Sequence, residues 1–295
     1  MALDQGFPSS RRCVSKPKTL LSLFDGTGSI CRPFVAAGWT VRRLDMDGRH
    51  GADIVTDVRQ WDPSRDWRGP APDVVFAGPP CENYSLARTR ACTPRDLRLA
   101  DSLVTKTLEI IEHFHGQNPR MLYFVENPDS SMLWRRWVSH RLYEDPGKHF
   151  LSSFVEYMDA KRGAKSYKYL TWVKRKSFTS GCRDSRIVRL DYCMYGTKYR
   201  KRTRLMTNSP FEASLCKKNC SGFRERKHAE AAQRGPYDRG AKGEGHSLDE
   251  LHAYPARLAD AIFTHVSRAE WRVRQGLSPS TAEPVLRPVK RQKNV

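Results

Sequence analysis

The stretch Thr19-Leu20-Leu21-Ser22-Leu23-Phe24 leads directly into Asp25-Gly26-Thr27-Gly28-Ser29 near the start of the chain. A short apolar run that ends in a glycine-rich turn predicts a buried strand, and residues 30–37 have the composition of a helix. The alternation continues downstream, with strands predicted at 39–44, 52–58, 73–77 and 121–125 and a helix at 95–115. Strands that alternate with helices are typical of a doubly wound, mainly parallel α/β sheet.

The chain of 295 residues is long enough for one substantial α/β core and a smaller second region. Apolar periodicity weakens beyond residue 129 and returns at 248–265. We therefore predict five segments: a flexible arm (1–17), the main catalytic domain (18–207), a small basic, loop-rich region (208–248), a helix that returns to the core (249–272) and a basic tail (273–295). No run of 18 apolar residues and no signal-peptide pattern occurs, so we expect neither a membrane span nor export.

Positive charge is concentrated in one part of the chain. The formal net charge is +20, and residues 161–245 alone hold 23 Lys and Arg against 7 Asp and Glu. Such a lopsided positive field favours a polyanionic partner, and nucleic acid in particular, over a merely solvated basic face. A membrane surface is disfavoured because glycines, prolines and aromatics interrupt any amphipathic helical period.

Two predicted strands end in side chains that carry chemistry. Strand 73–77 leads into Gly78-Pro79-Pro80-Cys81, and strand 121–125 leads into Glu126-Asn127-Pro128. Two prolines with fixed φ would hold the Cys81 thiol at the rim of the sheet. Cys81 is therefore a candidate nucleophile, with a small buried structural thiol as the alternative. The two strand ends together offer a thiol and a carboxylate.

The first two strands suggest a site for a nucleoside. The glycine-rich turn lacks the G-x-G-x-x-G spacing and a Gly-Lys-Ser/Thr sequence, which disfavours a dinucleotide or a P-loop phosphate site. Asp45, at the end of the second strand, can accept from both hydroxyls of a ribose. Asp57, at the end of the third, can accept from an adenine amino group with Met46 against the ring. Solvated turn residues are the alternative for each acid, but in this order they predict an adenosine pocket that S-adenosylmethionine would fit.

Three motifs resemble those of the cytosine-C5 DNA methyltransferases and stand in that family's order. They are Phe24-Asp25-Gly26-Thr27-Gly28, Gly78-Pro79-Pro80-Cys81-Glu82-Asn83-Tyr84-Ser85 and Glu126-Asn127-Pro128. The stretch Tyr195-Gly196-Thr197-Lys198-Tyr199-Arg200-Lys201-Arg202-Thr203 is similar to a fourth motif as it occurs in compact phage and viral members. The resemblance covers about residues 20–207, with a weaker echo at Tyr254-Pro255. It departs from the family pattern at Pro128, Lys198 and Arg202.

The resemblance implies a class I S-adenosylmethionine-dependent methyltransferase fold in which residues 208–248 form a small target-recognition region. It implies cofactor contacts from Phe24, Asp25, Gly26, Thr27, Gly28, Asp45, Met46, Asp57, Val58 and Pro79. In the implied chemistry, Cys81 adds to C6 of cytosine, helped by a lowered pKa, and Glu126 hydrogen-bonds the N3 and N4 edge. Asn127 would brace the Pro79-Pro80 loop.

A cation would orient Glu126 or grip the target phosphate. Lys201 is the first candidate, with Arg202 or Arg204 as substitutes.

A base inside a duplex cannot reach a pocket at a sheet rim, so the target must be rotated out of the stack or already single-stranded. The resemblance implies duplex DNA as the partner and 5-methylcytosine as the product. A cytosine-C5 RNA methyltransferase would share these catalytic residues, and an inactive nucleic-acid-binding homologue is a third reading. We expect a monomer located with DNA, in the nucleus of a eukaryotic cell or host, or in a prokaryotic cytoplasm.

Eight cysteines are scattered through a chain without an export signal, which favours reduced thiols over a disulfide framework. Among them, Cys216-x-x-x-Cys220 followed by His228 has zinc-like chemistry, with Cys182 or Cys193 available as a fourth ligand. The spacing is looser than that of paired C-x-x-C motifs, and a loop that contains two thiols and no metal is the alternative.

Overall fold

The computed structural model describes residues 17–86, 93–135, 185–232 and 245–274. Seven strands form one sheet: β1 (Thr19–Leu23), β2 (Thr40–Asp45), β3 (Ile54–Val55), β4 (Val74–Ala77), β5 (Leu122–Pro128), β6 (Arg186–Asp191) and β7 (Arg202–Thr207). Their order is β3-β2-β1-β4-β5-β7-β6. Strands β1 to β5 run parallel, and β7 is antiparallel to both of its neighbours. The predicted doubly wound, mainly parallel sheet is confirmed.

Helices cover both faces of the sheet. The helices are α1 (Arg32–Ala36), α2 (Pro63–Asp66), α3 (Leu97–Gln117), α4 (Leu248–His252) and α5 (Ala256–Arg274). Successive strand residues point to opposite faces, so Val125 packs with Val104 and Ile111 of α3 while Phe124 packs with Ile262 of α5. This two-sided burial explains why the strands are continuous apolar runs without polar alternation.

Several elements differ from the sequence prediction. The third strand is only two residues long, and β5 continues through its polar tip to Pro128 because it pairs there with β7. Strand β6 ends at Asp191, and the chain continues as a 3₁₀ turn at Tyr192–Tyr195. The returning helix is interrupted at Pro255, which has no backbone N–H to continue a helical hydrogen-bond ladder.

The chain between 208 and 232 has little regular structure. Its regular part is a hairpin of β8 (Phe223–Arg224) and β9 (Lys227–His228), paired antiparallel. None of the helices that the structure describes is long and apolar enough to cross a membrane.

Candidate active site

The two strand ends that carry the thiol and the carboxylate are neighbours in space. Strands β4 and β5 pair in parallel up to Ala77 and Val125, so Gly78 and Glu126 lie at the same edge, where β4 ends and β5 stays paired only with β7. Strand β7 runs the opposite way and therefore begins at that edge, where Thr203 pairs with Pro128. Lys201, immediately before β7, is brought to the edge where the Cys81 loop and Glu126 lie.

Glu126 is buried beneath the returning chain. Glu126 is only 7% exposed. Its Oε2 atom accepts a hydrogen bond from the Tyr254 hydroxyl at 3.3 Å. Gly78 makes this contact possible, because a Cβ at that position would lie 2.2 Å from the Tyr254 oxygen. Oε1 makes no hydrogen bond of normal geometry within the part of the chain that the structure describes. One carboxylate oxygen is therefore anchored, and the other is a buried acceptor whose hydrogen-bonding capacity is not filled by the described residues.

Burial raises the pKa of Glu126 above that of an ordinary glutamate, because water no longer solvates the charged form. The positive charge of Lys201 acts against this shift, as do the hydroxyls of Tyr254, Thr203 and Tyr192. Lys201 Nζ donates to the Leu251 carbonyl at 2.9 Å and lies 4.9 Å above the Tyr192 ring. The site therefore contains a carboxyl group that keeps its proton more readily than usual, next to one fixed cation.

Cys81 has a perturbed thiol. Burial, followed by the negative charge of Glu126, raises its pKa to about 11, while Lys201 pulls it down. The expectation of a lowered pKa is wrong for this pocket, since desolvation and the neighbouring carboxylate outweigh the nearby cation. The thiol can lose its proton more easily when Glu126 is neutral, because the charge that opposes the thiolate is then absent.

Asn127 lies between the two strand-end loops. Its side-chain amide donates to the Pro79 carbonyl at 2.8 Å and is fully buried, which is the contact expected from the sequence. This hydrogen bond ties the loop that carries Cys81 to the strand that carries Glu126.

Two cations considered from the sequence point away from this pocket. The Thr203 hydroxyl acts on Glu126, so its strand neighbours Arg202 and Arg204 point to the other face. Arg202 donates to both carboxylate oxygens of buried Asp191 at 3.0 Å, and Arg204 pairs with Asp129. We correct the assignment accordingly: among these three cations, Lys201 is the one whose charge acts on both Cys81 and Glu126.

The glycine-rich turn after β1 is held by internal contacts. The buried carboxylate of Asp25 accepts from the Ser22 hydroxyl, from the Cys31 thiol and from Arg43. A Cβ on Gly28 would lie 2.6 Å from the Arg43 guanidinium, so the close approach that this glycine allows is made by Arg43. Asp25 and Gly28 therefore shape the turn, and their predicted contacts with the cofactor stay a prediction that concerns the backbone of the turn.

An open surface lies beside this turn. Gly26 adopts a positive φ of 51° with no atom near its Cβ position, and its N–H donates to Asp45 at 2.8 Å. The other Asp45 oxygen accepts from the Asp47 N–H at 2.8 Å, which orients the carboxylate. Met46 is 75% exposed. Phe24 and Thr27 are half-buried at the same turn, and Pro79 is buried beside the Cys81 loop.

The third strand end fits the predicted pocket less well. Asp57 forms a salt bridge with the exposed Arg59 guanidinium at 2.5 Å, so that cation must move before the carboxylate can accept from a ligand. Val58 is 2% exposed and packs in the core, which leaves only its backbone for a ligand. The predicted cofactor contact from Val58 therefore stays a prediction that concerns its backbone.

Sequence reasoning missed four residues that build the site. Tyr254, Tyr192 and Thr203 surround Glu126, and Arg43 locks the glycine-rich turn. A sequence signal existed for Tyr254, since the Tyr254-Pro255 dipeptide weakly resembles the family pattern. The other three carry no local signal, because each acts on a residue distant in sequence.

A viral protein is similar in sequence to this chain and tests the resemblance to the cytosine-C5 DNA methyltransferases. No protein-family model matches the chain. The chain is 25% identical over 215 residues to the "Probable DNA (cytosine-5)-methyltransferase" of Frog virus 3 (isolate Goorha), an alignment that covers 69% of this chain and 75% of the viral protein. The resemblance to the cytosine-C5 DNA methyltransferases is confirmed.

Solved structures show weaker likeness. One is a candidate DNA modification methyltransferase encoded within a prophage (E. coli), with a TM-score of 0.38, 14% identity and coverage of 64% of this chain and 46% of that one. Another is a triple mutant of Spodoptera frugiperda DNMT2, with a TM-score of 0.34, 10% identity and coverage of 75% and 60%. The chain thus spans less than two thirds of either solved protein. TM-scores this low carry no weight, and the fold is assigned from its own strand order.

The buried carboxyl group predicts a pH-dependent stability. Because its pKa is raised in the folded state, the folded chain holds the Glu126 proton to higher pH, and stability is lost as pH rises through that folded pKa. Glu126→Gln should therefore raise the melting temperature at pH 8, by roughly 2–4 °C per kcal/mol of relieved penalty, and change it little at pH 4. Glu212→Gln, at an exposed residue, is the control. A gain of equal size at both pH values would contradict the assignment.

Proposed function

We propose that this protein is a DNA (cytosine-5-)-methyltransferase that transfers a methyl group from S-adenosylmethionine to C5 of a cytosine rotated out of its duplex. The observation that carries the proposal is the shared pocket of Cys81, Glu126 and Lys201 at one edge of a parallel sheet. The name of the viral relative supports the same reaction class. The open turn beside Asp45, on the same edge, supports a nucleoside cofactor.

The thiol would begin the reaction. C5 of cytosine is a poor nucleophile until a group adds at C6, and the Cys81 sulfur would form that bond as its proton passes to water. A protonated Glu126 removes the negative charge that raises the pKa of the thiol, so the nucleophile forms most readily while Glu126 holds its proton. The same proton can then be shared with N3, which neutralises charge that develops on the ring.

Glu126 is suited to this task by its surroundings. Tyr254 fixes one carboxylate oxygen, and the other is buried without a normal hydrogen-bond partner among the described residues, so it would turn to the base once the base enters the site. Lys201 would stabilise the carboxylate after proton transfer. Once C5 carries the methyl group, loss of the C5 proton to water would break the bond between Cys81 and C6, restore the aromatic ring and release the sulfur as a thiolate.

The residues around the glycine-rich turn fit S-adenosylmethionine. Asp45 is oriented by two backbone N–H groups and would accept from ribose hydroxyls, while exposed Met46 offers an apolar surface to adenine. Gly26 leaves open space at the turn, and Phe24 and Pro79 flank it. When bound, this cofactor supplies an electrophilic methyl group.

The covalent step can be tested with 5-fluorocytosine, whose fluorine cannot leave as a proton does. A long duplex that carries 5-fluorocytosine throughout one strand should trap the protein covalently when S-adenosylmethionine is present, as an adduct stable to denaturing electrophoresis. Cys81→Ser should abolish adduct and methylation because a hydroxyl is far less nucleophilic, and Glu126→Gln should lower methylation by about 10²–10⁴-fold.

The control is Cys92→Ser, a position outside the described residues and the nearest other thiol in sequence, which should retain the adduct. An adduct that maps to another cysteine would refute the proposal. An RNA hairpin that is methylated in preference to the duplex would replace DNA with RNA as the substrate.

Cofactor binding can be measured separately. Asp45→Ala removes a charged acceptor worth about 1.5–3 kcal/mol, so calorimetry should show at least about tenfold weaker binding of S-adenosylmethionine. DNA affinity should stay nearly unchanged. Asp260→Ala, at an exposed position of α5, is the matched control. Equal affinity for the cofactor in both variants would remove Asp45 from the site.

The basic hairpin region predicts the salt dependence of DNA binding. Lys217, Lys218 and Arg226 are exposed, and replacing all three by Gln should flatten the slope of log K against log salt by about 0.9 for each phosphate that the protein no longer neutralises. The control neutralises Arg65, Arg68 and Arg120, which are exposed and lie on the far side of the sheet, before β4 and β5 begin. If both triple variants alter the slope equally, the hairpin region is not the DNA-binding face.

A further inference from the structure

Four metal-binding side chains meet outside the active site. The ligand atoms of Cys193, Cys216, Cys220 and His228 all lie within 4.8 Å of one another, and Cys216 Sγ is 3.6 Å from His228 Nε2. Three of these residues were zinc candidates from sequence spacing. The structure selects Cys193 as the fourth, whereas Cys182 lies outside the described residues.

Separate elements bring the four ligands together. Cys193 is buried in the 3₁₀ turn that follows β6, Cys216 and Cys220 lie in the loop before the hairpin, and His228 is on β9. Lys218 has a positive φ of 66°, which turns the loop back so that both of its sulfurs face the same point. The Lys218 N–H donates to the Cys216 sulfur, which would offset negative charge on a thiolate.

The geometry suits a tetrahedral metal. Zinc held by sulfur at about 2.3 Å places neighbouring ligand atoms about 3.8 Å apart, close to the separation between Cys216 and His228. Three thiolates and one imidazole form a closed four-coordinate set of the structural kind, and soft sulfur ligands favour zinc over magnesium or calcium.

The segment that carries three of the ligands has no hydrophobic core of its own. Between residues 212 and 232 only Gly222 is buried. Gly222 packs against the backbone of Lys198, where a Cβ would come within 2.9 Å. A stretch of this length without buried apolar side chains needs a cross-link to hold one conformation.

We propose that Cys193, Cys216, Cys220 and His228 bind one zinc ion, which fastens the basic hairpin region to the end of β6. The site is independent of the proposed methyl transfer. Cys216 is already placed by its N–H, which donates to the carboxylate of Asp191 at 2.9 Å, and the same carboxylate holds Arg200 and Arg202. Three thiolates around Zn²⁺ leave a net charge of about −1, which these arginines and Lys218 surround.

The zinc would thereby position a basic cavity. A cavity of about 370 Å³ is lined by the ligands Cys216 and His228 together with the cations Arg200, Lys218, Arg226 and Lys227. A metal that holds Cys216 and His228 in place would also hold the neighbouring cations at fixed distances from one another. Removal of the metal should loosen this surface while leaving the sheet and Asp45 in place.

The first test is metal content and coordination in the full-length protein. Purified protein should contain one zinc per chain by elemental analysis, and Co²⁺ exchanged for zinc should show the intense visible absorption and the sulfur-to-metal charge-transfer band of a tetrahedral thiolate site. Metal-free protein, or a Co²⁺ spectrum of octahedral oxygen ligation, would overturn the proposal. A disulfide among the three cysteines, detected by mass spectrometry, would do the same.

The second test separates the ligands. Cys193→Ser and His228→Ala should lose zinc, while His228→Cys should keep it because four thiolates also form a closed site. Cys182→Ser is the matched control and should retain one zinc per chain. If Cys182→Ser loses the metal and Cys193→Ser keeps it, the ligand set is wrong. Far-UV circular dichroism and the melting temperature, measured on each variant, show whether the sheet is intact and do not depend on the protein's being a methyltransferase.

Discussion

The inverted direction of β7 is the constraint on which both sites depend. Inserted between two strands that run the other way, β7 begins where β5 and β6 end. This single inversion brings Lys201 to the edge of the sheet where Glu126 lies, and the connection from β6 to β7 along this edge contains Cys193. A parallel strand in this position would begin at the opposite edge, about 20 Å away for a strand of six residues, and no cation would face the carboxyl group.

Burial perturbs the pKa values of the two reactive groups, and it also costs free energy of folding because both groups lose their contact with water. A carboxyl group and a thiol taken out of water both shift toward their neutral forms. The sheet tolerates them because its two faces are covered by extensive apolar clusters. In return, a dry pocket strengthens each remaining electrostatic contact, so that one fixed lysine influences two reactive groups.

The sequence predicted those features that have local causes. Apolar runs marked β1, β4 and β5, and the polar residues that follow each run marked Cys81 and Glu126 correctly as strand-end side chains. Contacts across long separations were invisible: Arg43 on Asp25, Tyr254 on Glu126 and Arg202 on Asp191 depend on strand pairing and helix return. Arg202 was wrongly predicted beside Glu126 for a related reason. The face to which its side chain points alternates along the strand, and that face is known only once the first residue of β7 is known. Burial likewise reversed the expected sign of the Cys81 pKa shift, because desolvation cannot be read from charged neighbours alone.

The hydrogen bond between Tyr254 and Glu126 joins residues 128 positions apart in the chain. The ribosome must therefore synthesise more than a hundred residues after the strand that carries Glu126 before this pocket can close. The thiol and its carboxyl partner are made early, but Tyr254 and the Leu251 carbonyl that holds Lys201 arrive late. A nascent chain would thus carry its reactive cysteine in an unfinished, more hydrated pocket, and the perturbed acidities described above would arise only at the end of synthesis.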